Sequence, residues 1–196
     1  MSAWIEMITD EDADEDLRDA LDLARTPHGT VDNVMRVHSL RPNTMRGQVI
    51  LYRAALHDDA NRLPLWLQET ISSYVSILNH CEYSLANHWA NAKHLMDDDM
   101  NPGKILAALE DRSPARVFEG RELALMLYAE KLTLRPGEMR ELDVARLRDA
   151  GLDDGQILEA NQIIGYFNYV NRCLNGLGVT THNDVVGYYA DSDEAE

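Results

Sequence analysis

The residues best able to do chemistry in this sequence lie between Glu69 and His88. Ser84 and His88 are four positions apart, so they share one face of a helix and the imidazole can reach the group at position 84. Cys81 lies just before them, and Glu69 joins them only if two successive helices pack as a hairpin. A carboxylate and an imidazole beside a hydroxyl or thiol can relay protons for a nucleophile. Glu69, Cys81, Ser84 and His88 are therefore the candidate catalytic residues.

The reactivity of Cys81 depends on where the surrounding helices begin and end. Asn79 is a favourable N-cap residue, and Glu82 three positions later completes a capping-box pattern. This pattern predicts a new helix from about His80, with Cys81 in its first turn. The unpaired N–H groups and the positive dipole end of a helix favour a thiolate. We therefore expect Cys81 to react with alkylating reagents faster than Cys173.

Helix-forming residues dominate the chain, and proline- and glycine-containing turns divide it into a series of helices. No alternating pattern bounded by hairpin turns indicates a strand. We predict an all-α fold with no sheet, in which a single domain spans residues 1–196. The helices are expected at about residues 10–25, 31–40, 44–57, 64–78, 80–96, 104–110, 114–133, 138–150 and 153–177.

The C-terminal end of the chain is polar and differs from the helices in composition. It carries two tyrosines after Asp184 and becomes strongly acidic from about residue 190. The acidic end is typical of a flexible tail. We interpret the part with the tyrosines as an arm that contacts a partner.

Charge and composition exclude several classes of partner. The 196 residues include 34 acidic and 18 basic side chains, which gives a formal net charge of −16. Such a field repels nucleic acid and anionic membrane surfaces. No stretch approaches the roughly 18 apolar residues of a membrane span, and no targeting leader is evident. With only 2 cysteines, no disulfide framework is implied. We expect a cytoplasmic protein that binds neither nucleic acid nor membrane.

No pattern in the sequence indicates a metal or a cofactor. The offsets of His80, His88 and His94 do not bring the three rings to one face with a fourth ligand. No glycine-rich phosphate loop occurs. We therefore predict neither a metal site nor a cofactor.

The spacing of Glu69, Cys81, Ser84 and His88 resembles the motif of the alkylhydroperoxidase D family, within the carboxymuconolactone decarboxylase superfamily. Flanking blocks at residues 31–34 and 165–179 extend the resemblance, which is closest to the peroxidase-related branch and covers roughly residues 5–185. In that family the motif contains Cys-x-x-Cys. The second cysteine attacks the peroxide after deprotonation through the histidine and glutamate, and the first then forms a disulfide with it. Ser84 stands where that attacking cysteine would be.

Three functions are compatible with this substitution. The first is a peroxidase-related oxidoreductase, in which a peroxide oxidises Cys81 to a sulfenate and an external thiol reduces it again. The second is a non-redox enzyme of the decarboxylase- or lactone-handling kind, which binds a small carboxylate and moves protons with His88. The third is a non-catalytic helical oligomer with a vestigial site. Dithiol peroxidase chemistry is not expected, because a serine hydroxyl does not reduce peroxides.

The last helix also predicts self-association. Its run Ile163–Val170 contains no charged residue, and a helix that is apolar all round must be buried on all sides. One domain can cover part of this surface and a partner subunit the rest. The family resemblance implies trimers or multiples of them. We predict a symmetric homo-oligomer, either a trimer or a hexamer with a dimer as the alternative, and a site near a subunit boundary.

Overall fold

The computed structural model describes residues 2–189, and every regular element in this range is helical. The predicted all-α fold without a sheet is thus confirmed over that range, whereas the acidic tail lies outside the described residues. Two short 3-10 turns, Pro114–Arg116 and Pro136–Glu138, interrupt the series of α-helices. The α-helices are α1 (Glu15–Leu23), α2 (Asn33–Arg36), α3 (Pro42–Leu56), α4 (Leu65–Leu78), α5 (Glu82–Leu95), α6 (Pro102–Glu110), α7 (Gly120–Leu134), α8 (Glu141–Asp149) and α9 (Asp154–Leu177).

Helix α4 is the centre of the fold and is buried along most of its length. It packs against α5, α7 and α9, and its apolar side chains fill the main core. Its serine and threonine side chains are tolerated there because each donates to a backbone carbonyl four residues earlier, as Ser72 does to Gln68 and Ser73 does to Glu69. The Glu69 side chain has no such local partner. Its partners must come from another helix.

A second apolar cluster joins α1, α2 and α3 around Leu17, Leu21 and Met45. Val34 and Tyr52 contact both this cluster and the main core. The junction between the two clusters is where the fold leaves room for a cavity.

The turn between α4 and α5 differs from the predicted one. Asn79 is the C-cap of α4, and His80 adopts a left-handed conformation with φ 52°. The Cys81 N–H then donates to the Ser76 carbonyl at 2.9 Å, which is the long hydrogen bond of a Schellman motif. The predicted capping box from Asn79 to Glu82 is wrong, because Asn79 closes the preceding helix. Cys81 is itself the N-cap of α5.

Other helix ends differ for similar local reasons. Helix α1 begins at Glu15 rather than near residue 10, because the Asp14 carboxylate accepts from the Leu17 N–H at 2.9 Å. The helix predicted from Pro114 is a 3-10 turn, and α7 begins only at Gly120. Helix α9 agrees with its prediction and ends at Gly178, which has φ 60°. None of the helices in residues 2–189 is long and apolar enough to cross a membrane.

Candidate active site

The hairpin of α4 and α5 brings Glu69 and His88 together. The Oε2 atom of Glu69 lies 2.6 Å from Nδ1 of His88, and the Glu69 side chain is 0% exposed. The two residues lie on adjacent packed helices, as the sequence predicted. A hydrogen bond from Nδ1–H to the carboxylate fixes the tautomer of the imidazole and directs the lone pair of Nε2 away from Glu69. We call Glu69 and His88 the dyad.

Two further side chains hold the dyad in place. The Nδ2 atom of Asn91 donates to Oε1 of Glu69 at 3.2 Å, so both carboxylate oxygens have partners. The Phe167 ring meets the His88 ring edge-on, with the ring centroids 4.5 Å apart. The imidazole is therefore constrained by a hydrogen bond on one side and by packing on another.

The His88 ring lines a cavity of about 340 Å³ between α3, α5, α9 and the C-terminal residues. This volume is at the small end of the range for ligand sites and suits a molecule of one or two rings. Aromatic side chains supply much of the wall near His88. They are Tyr52, His57, Tyr83, Tyr166 and Tyr188.

Tyr52 and His57 form a polar pair on this wall. The Tyr52 hydroxyl and His57 Nε2 are 2.9 Å apart. Burial raises the pKa of Tyr52 well above its usual value, and the negative charge of Glu69 acts in the same direction. Burial also lowers the pKa of His57, despite an opposing effect of Glu69. Both side chains are therefore uncharged at neutral pH, and the phenol remains a hydrogen-bond donor.

The cavity wall also contains the carboxyl group of Asp32. Burial, together with the nearby charge of Asp184, raises the pKa of Asp32 to about 7. The Oδ1 atom of Asp32 is buried without a hydrogen-bond partner among residues 2–189. Asp184, by contrast, accepts from the Tyr83 hydroxyl at 2.6 Å and from the Asn33 N–H at 3.0 Å. A buried carboxyl group with a raised pKa beside a cavity is typical of functional sites.

Ser84 and Cys81 lie in different surroundings. Ser84 lines the cavity on the same face of α5 as His88, as the spacing predicted. Cys81 is 1% exposed, belongs to the main core and is not among the residues that line the cavity. Burial raises the pKa of the Cys81 thiol and outweighs the backbone amides of Ser84 and Tyr83, which lower it. The expectation of a helix-start thiolate is therefore wrong, because desolvation outweighs the helix terminus.

Several residues that shape the site are not predicted from the sequence. Asp32 and Asn33 lie in a block that carried the family resemblance, so a signal existed for them. Asn91 follows His88 by three positions on α5 and could have been found from that spacing. The C-terminal tyrosines were interpreted as an arm toward a partner, but Tyr188 lines the cavity of its own chain.

No group of three or more His, Cys, Asp or Glu side chains within residues 2–189 is arranged to hold a metal ion. Both cysteines are free thiols. The groups that line the cavity include imidazoles, tyrosine hydroxyls, the Ser84 hydroxyl, the carboxyl group of Asp32 and the guanidinium groups of Arg25 and Arg53.

No protein-family model matches the chain, and no curated protein is similar enough to count as a relative. Solved structures of the same fold are nevertheless found. One is described as the alkylhydroperoxidase AhpD core of an uncharacterized peroxidase-related protein from Ralstonia eutropha; it has a TM-score of 0.78 and 20% identity, with 94% of each chain covered. An uncharacterized peroxidase-related protein from Silicibacter sp. has a TM-score of 0.78 and 20% identity, over 93% of this chain and 95% of that one.

A third similar structure is a variant of the debrominase Bmp8 in complex with 2,3,4-tribromopyrrole, with a TM-score of 0.71, 16% identity and 92% of each chain covered. All three similarities extend over nearly the whole chain at low identity. The chain thus has an alkylhydroperoxidase D-like fold, and the resemblance inferred from the motif around Glu69 and His88 is confirmed for the fold.

Proposed function

We propose that this protein is a small-molecule enzyme that transfers protons with His88, oriented by Glu69, and that its reaction does not use a thiol. One observation carries the proposal. His88 is held by a fully buried carboxylate 2.6 Å away and lines an aromatic cavity, whereas Cys81 lies outside that cavity. Of the functions compatible with the sequence, the non-redox one, of the decarboxylase- or lactone-handling kind, needs only groups that are present at the cavity.

The chemistry follows from the arrangement of the dyad. A substrate would bind with an acidic C–H or O–H bond facing Nε2 of His88. The Nε2 lone pair takes the proton, and the bonding electron pair remains on the substrate. Glu69 stabilises the resulting imidazolium through the Nδ1–H hydrogen bond. Tyr52 and Ser84 have the hydroxyl groups available to stabilise the negative charge left on the substrate.

The structural relatives support a small organic substrate without identifying it. A debrominase of the same fold was captured with 2,3,4-tribromopyrrole, so this fold accommodates a small ring compound. Two others are described as peroxidase-related. A single-cysteine peroxidase would require the Cys81 thiol to reach a peroxide, and its burial and raised pKa both oppose that. Thiol chemistry is therefore the weaker candidate.

A generic carbon acid can test the proton-transfer function before the natural substrate is known. The probe 5-nitrobenzisoxazole loses a proton from carbon to a base in an apolar cavity and opens to a coloured phenolate. We expect the wild type to accelerate this reaction and His88→Ala to lose roughly a hundredfold in rate, as for a general base. Glu69→Gln should lose less, because a neutral amide still orients the ring. The exposed His182, which lies outside the cavity, provides the control variant His182→Ala. Equal rates for wild type and His88→Ala would contradict the proposal.

A peroxide assay tests the alternative directly. With cumene hydroperoxide as oxidant and dithiothreitol as reductant, wild type and Cys81→Ala should both remain at the background rate. Ser84→Cys places a thiol at the cavity wall beside His88 and should gain turnover, which shows that the assay can detect thiol chemistry. Turnover by the wild type that is lost in Cys81→Ala would favour the single-cysteine peroxidase instead.

A further inference from the structure

The C-terminal residues Asp184–Tyr189, which we call the strap, lie along the cavity. Val185, Gly187 and Tyr188 form part of the cavity wall. The Tyr188 ring stacks on His57, with the ring centroids 5.2 Å apart. A ligand seated in the cavity would therefore be covered on one side by the strap.

Helix α5 holds the strap through three side chains spaced one turn apart. The Tyr83 hydroxyl donates to Asp184 at 2.6 Å. The Gly187 N–H donates to Oδ1 of Asn87 at 3.1 Å, and the Tyr188 N–H donates to Oδ1 of Asn91 at 2.6 Å. Positions 83, 87 and 91 share one helix face, and His88, three positions before Asn91, lies next to the end of that face.

Asn91 differs from Asn87 because its second polar group contacts the dyad. Its Nδ2 atom donates to Oε1 of Glu69, whereas the Nδ2 atom of Asn87 donates to the backbone carbonyl of Tyr83. A backbone N–H can only donate and a carboxylate can only accept, so the amide of Asn91 has one orientation that satisfies both partners. Asn91 is 2% exposed, so its amide is largely shielded from bulk solvent. The strap backbone, Asn91, Glu69 and His88 thus form one continuous chain of hydrogen bonds.

We propose that Asn91 is a positioning residue that couples seating of the strap to the orientation of Glu69. When the strap is seated, the hydrogen bond from the Tyr188 N–H fixes the orientation of the Asn91 amide. The Nδ2 atom of Asn91 then donates to Oε1 of Glu69, while Oε2 of Glu69 faces His88. When the strap leaves to admit a ligand, the amide loses that constraint. Cavity closure and assembly of the dyad then occur together. This inference rests on the proposed proton-transfer role of His88.

Two matched variants, Asn91→Ala and Asn87→Ala, distinguish coupling of the strap to Glu69 from simple attachment of the strap to α5. Both remove one acceptor of a strap N–H, but only Asn91→Ala removes the donor to Glu69. We expect Asn91→Ala to lose roughly tenfold in the 5-nitrobenzisoxazole reaction, the effect of one hydrogen bond to a charged group. The loss in Asn87→Ala should be clearly smaller. Equal losses in the two variants would overturn the coupling.

A second measurement uses the reciprocity that any coupling requires. Hydrogen exchange at the Tyr188 amide reports seating of the strap, and it can be followed without any substrate. Glu69→Ala removes the partner of Asn91 without touching the strap, so coupling predicts faster exchange at Tyr188. Glu69→Gln keeps a carbonyl that can accept from Asn91 and should restore slow exchange. Unchanged exchange in Glu69→Ala would show that Asn91 attaches the strap and does nothing more.

The two proposals fail in different ways. If His88→Ala retains the full rate, the proton-transfer function is wrong, but exchange at Tyr188 in Glu69→Ala still decides whether the coupling exists. If His88→Ala is inactive while Asn91→Ala and Asn87→Ala behave alike in rate and exchange, the dyad function stands and the role of Asn91 is wrong. Circular dichroism of each variant establishes that its helices are intact.

Discussion

At Cys81, two physical effects oppose each other. The amides at the start of α5 lower the pKa of the thiol, and burial raises it by a larger amount. Cys173 is partly exposed in the single chain, so the reagent can reach it in a dissociated subunit without opening of the fold. We therefore predict that iodoacetamide labels Cys173 before Cys81 in the folded protein, as measured by peptide mass spectrometry. In denaturant the two should label at similar rates. Faster native labelling of Cys81 would contradict the burial argument.

Asp32 is expected to make stability depend on pH in an unusual direction. Its pKa is raised from 3.8 to about 7 in the folded protein, so the folded state binds the proton more tightly than the unfolded state. This contribution to stability is present at low pH and is lost as pH rises toward about 7. Asp32→Asn should therefore stabilise the protein above about pH 7, by up to a few kcal/mol, with little gain below about pH 4.

Chemical denaturation at several pH values measures this effect of Asp32. Asp19, an exposed aspartate on α1, provides the matched variant Asp19→Asn, which should show no comparable pH dependence. A gain in Asp32→Asn that is the same at all pH values would show that the ionisation of Asp32 does not limit stability. Ionisation of Asp32 lowers the free energy of unfolding, so its position beside a cavity is more easily explained by ligand binding than by folding.

Sequence spacing and the family resemblance together predicted the dyad but not its surroundings. Glu69 and His88 lie on successive helices and meet only if these pack as a hairpin, and the resemblance singled out this pair. The burial of Cys81 could not be predicted, since the first turn of a helix has an inner and an outer side and the sequence does not say which faces the core. Asp32 and Asp184 come together across 152 positions of the chain, and no local pattern carries that information.

At the scale of the helices, the order of elements was predictable and several ends were not. Proline and glycine turns mark most of the boundaries, as at Gly178 after α9. One error occurred where a single polar residue could serve either of two helices. Asn79 could begin α5 or end α4. The Schellman hydrogen bond from the Cys81 N–H to the Ser76 carbonyl shows that it ends α4. Local propensity alone does not determine whether such a residue is the C-cap of one helix or the N-cap of the next.

Gly187 is the position at which the strap can be tested most cleanly. Its φ is +92°, and a Cβ atom there would lie 3.1 Å from Cβ of Ala90 on α5. Gly187→Ala should therefore lift the strap and accelerate hydrogen exchange at Tyr188. Gly151 has a φ of +93° with open space around it, so Gly151→Ala introduces the same backbone strain far from the cavity.

Both glycine variants should lose stability by about 1 kcal/mol because of the strained backbone. Only Gly187→Ala should change exchange at Tyr188, and only it should lower the rate with 5-nitrobenzisoxazole. If Gly151→Ala raises exchange at Tyr188 equally, the effect is a general loss of stability. The comparison would then give no support to a close approach of the strap to α5.

At the scale of the whole molecule, α9 presents a surface that one chain leaves uncovered. The uncharged run Ile163–Val170 was predicted to be buried on all sides, but its outer face remains open in the single chain. Leu158 is 60% exposed and Tyr169 is 44% exposed, and Gly165 lies between them on the same side of α9. Exposed apolar residues along one side of a helix are typical of a contact between subunits, and the exposed Gln162 is a polar residue within this stripe. Because Tyr166 on the same helix lines the cavity, a partner seated on the stripe would lie close to the candidate site.

We therefore expect a symmetric homo-oligomer in which α9 meets a second copy of the chain. The net charge of −16 opposes association at low salt, but screening within about 8–10 Å weakens this repulsion at physiological ionic strength. Light scattering at micromolar concentration and ordinary salt should give a multiple of the 22.2 kDa chain mass.

Leu158→Glu should shift the assembly toward the monomer. Leu142 on α8 is similarly exposed, at 58%, and Leu142→Glu adds the same charge away from the stripe, so it should leave the assembly intact. A monomeric wild type would refute self-association, whereas dissociation by Leu142→Glu alone would place the interface on α8.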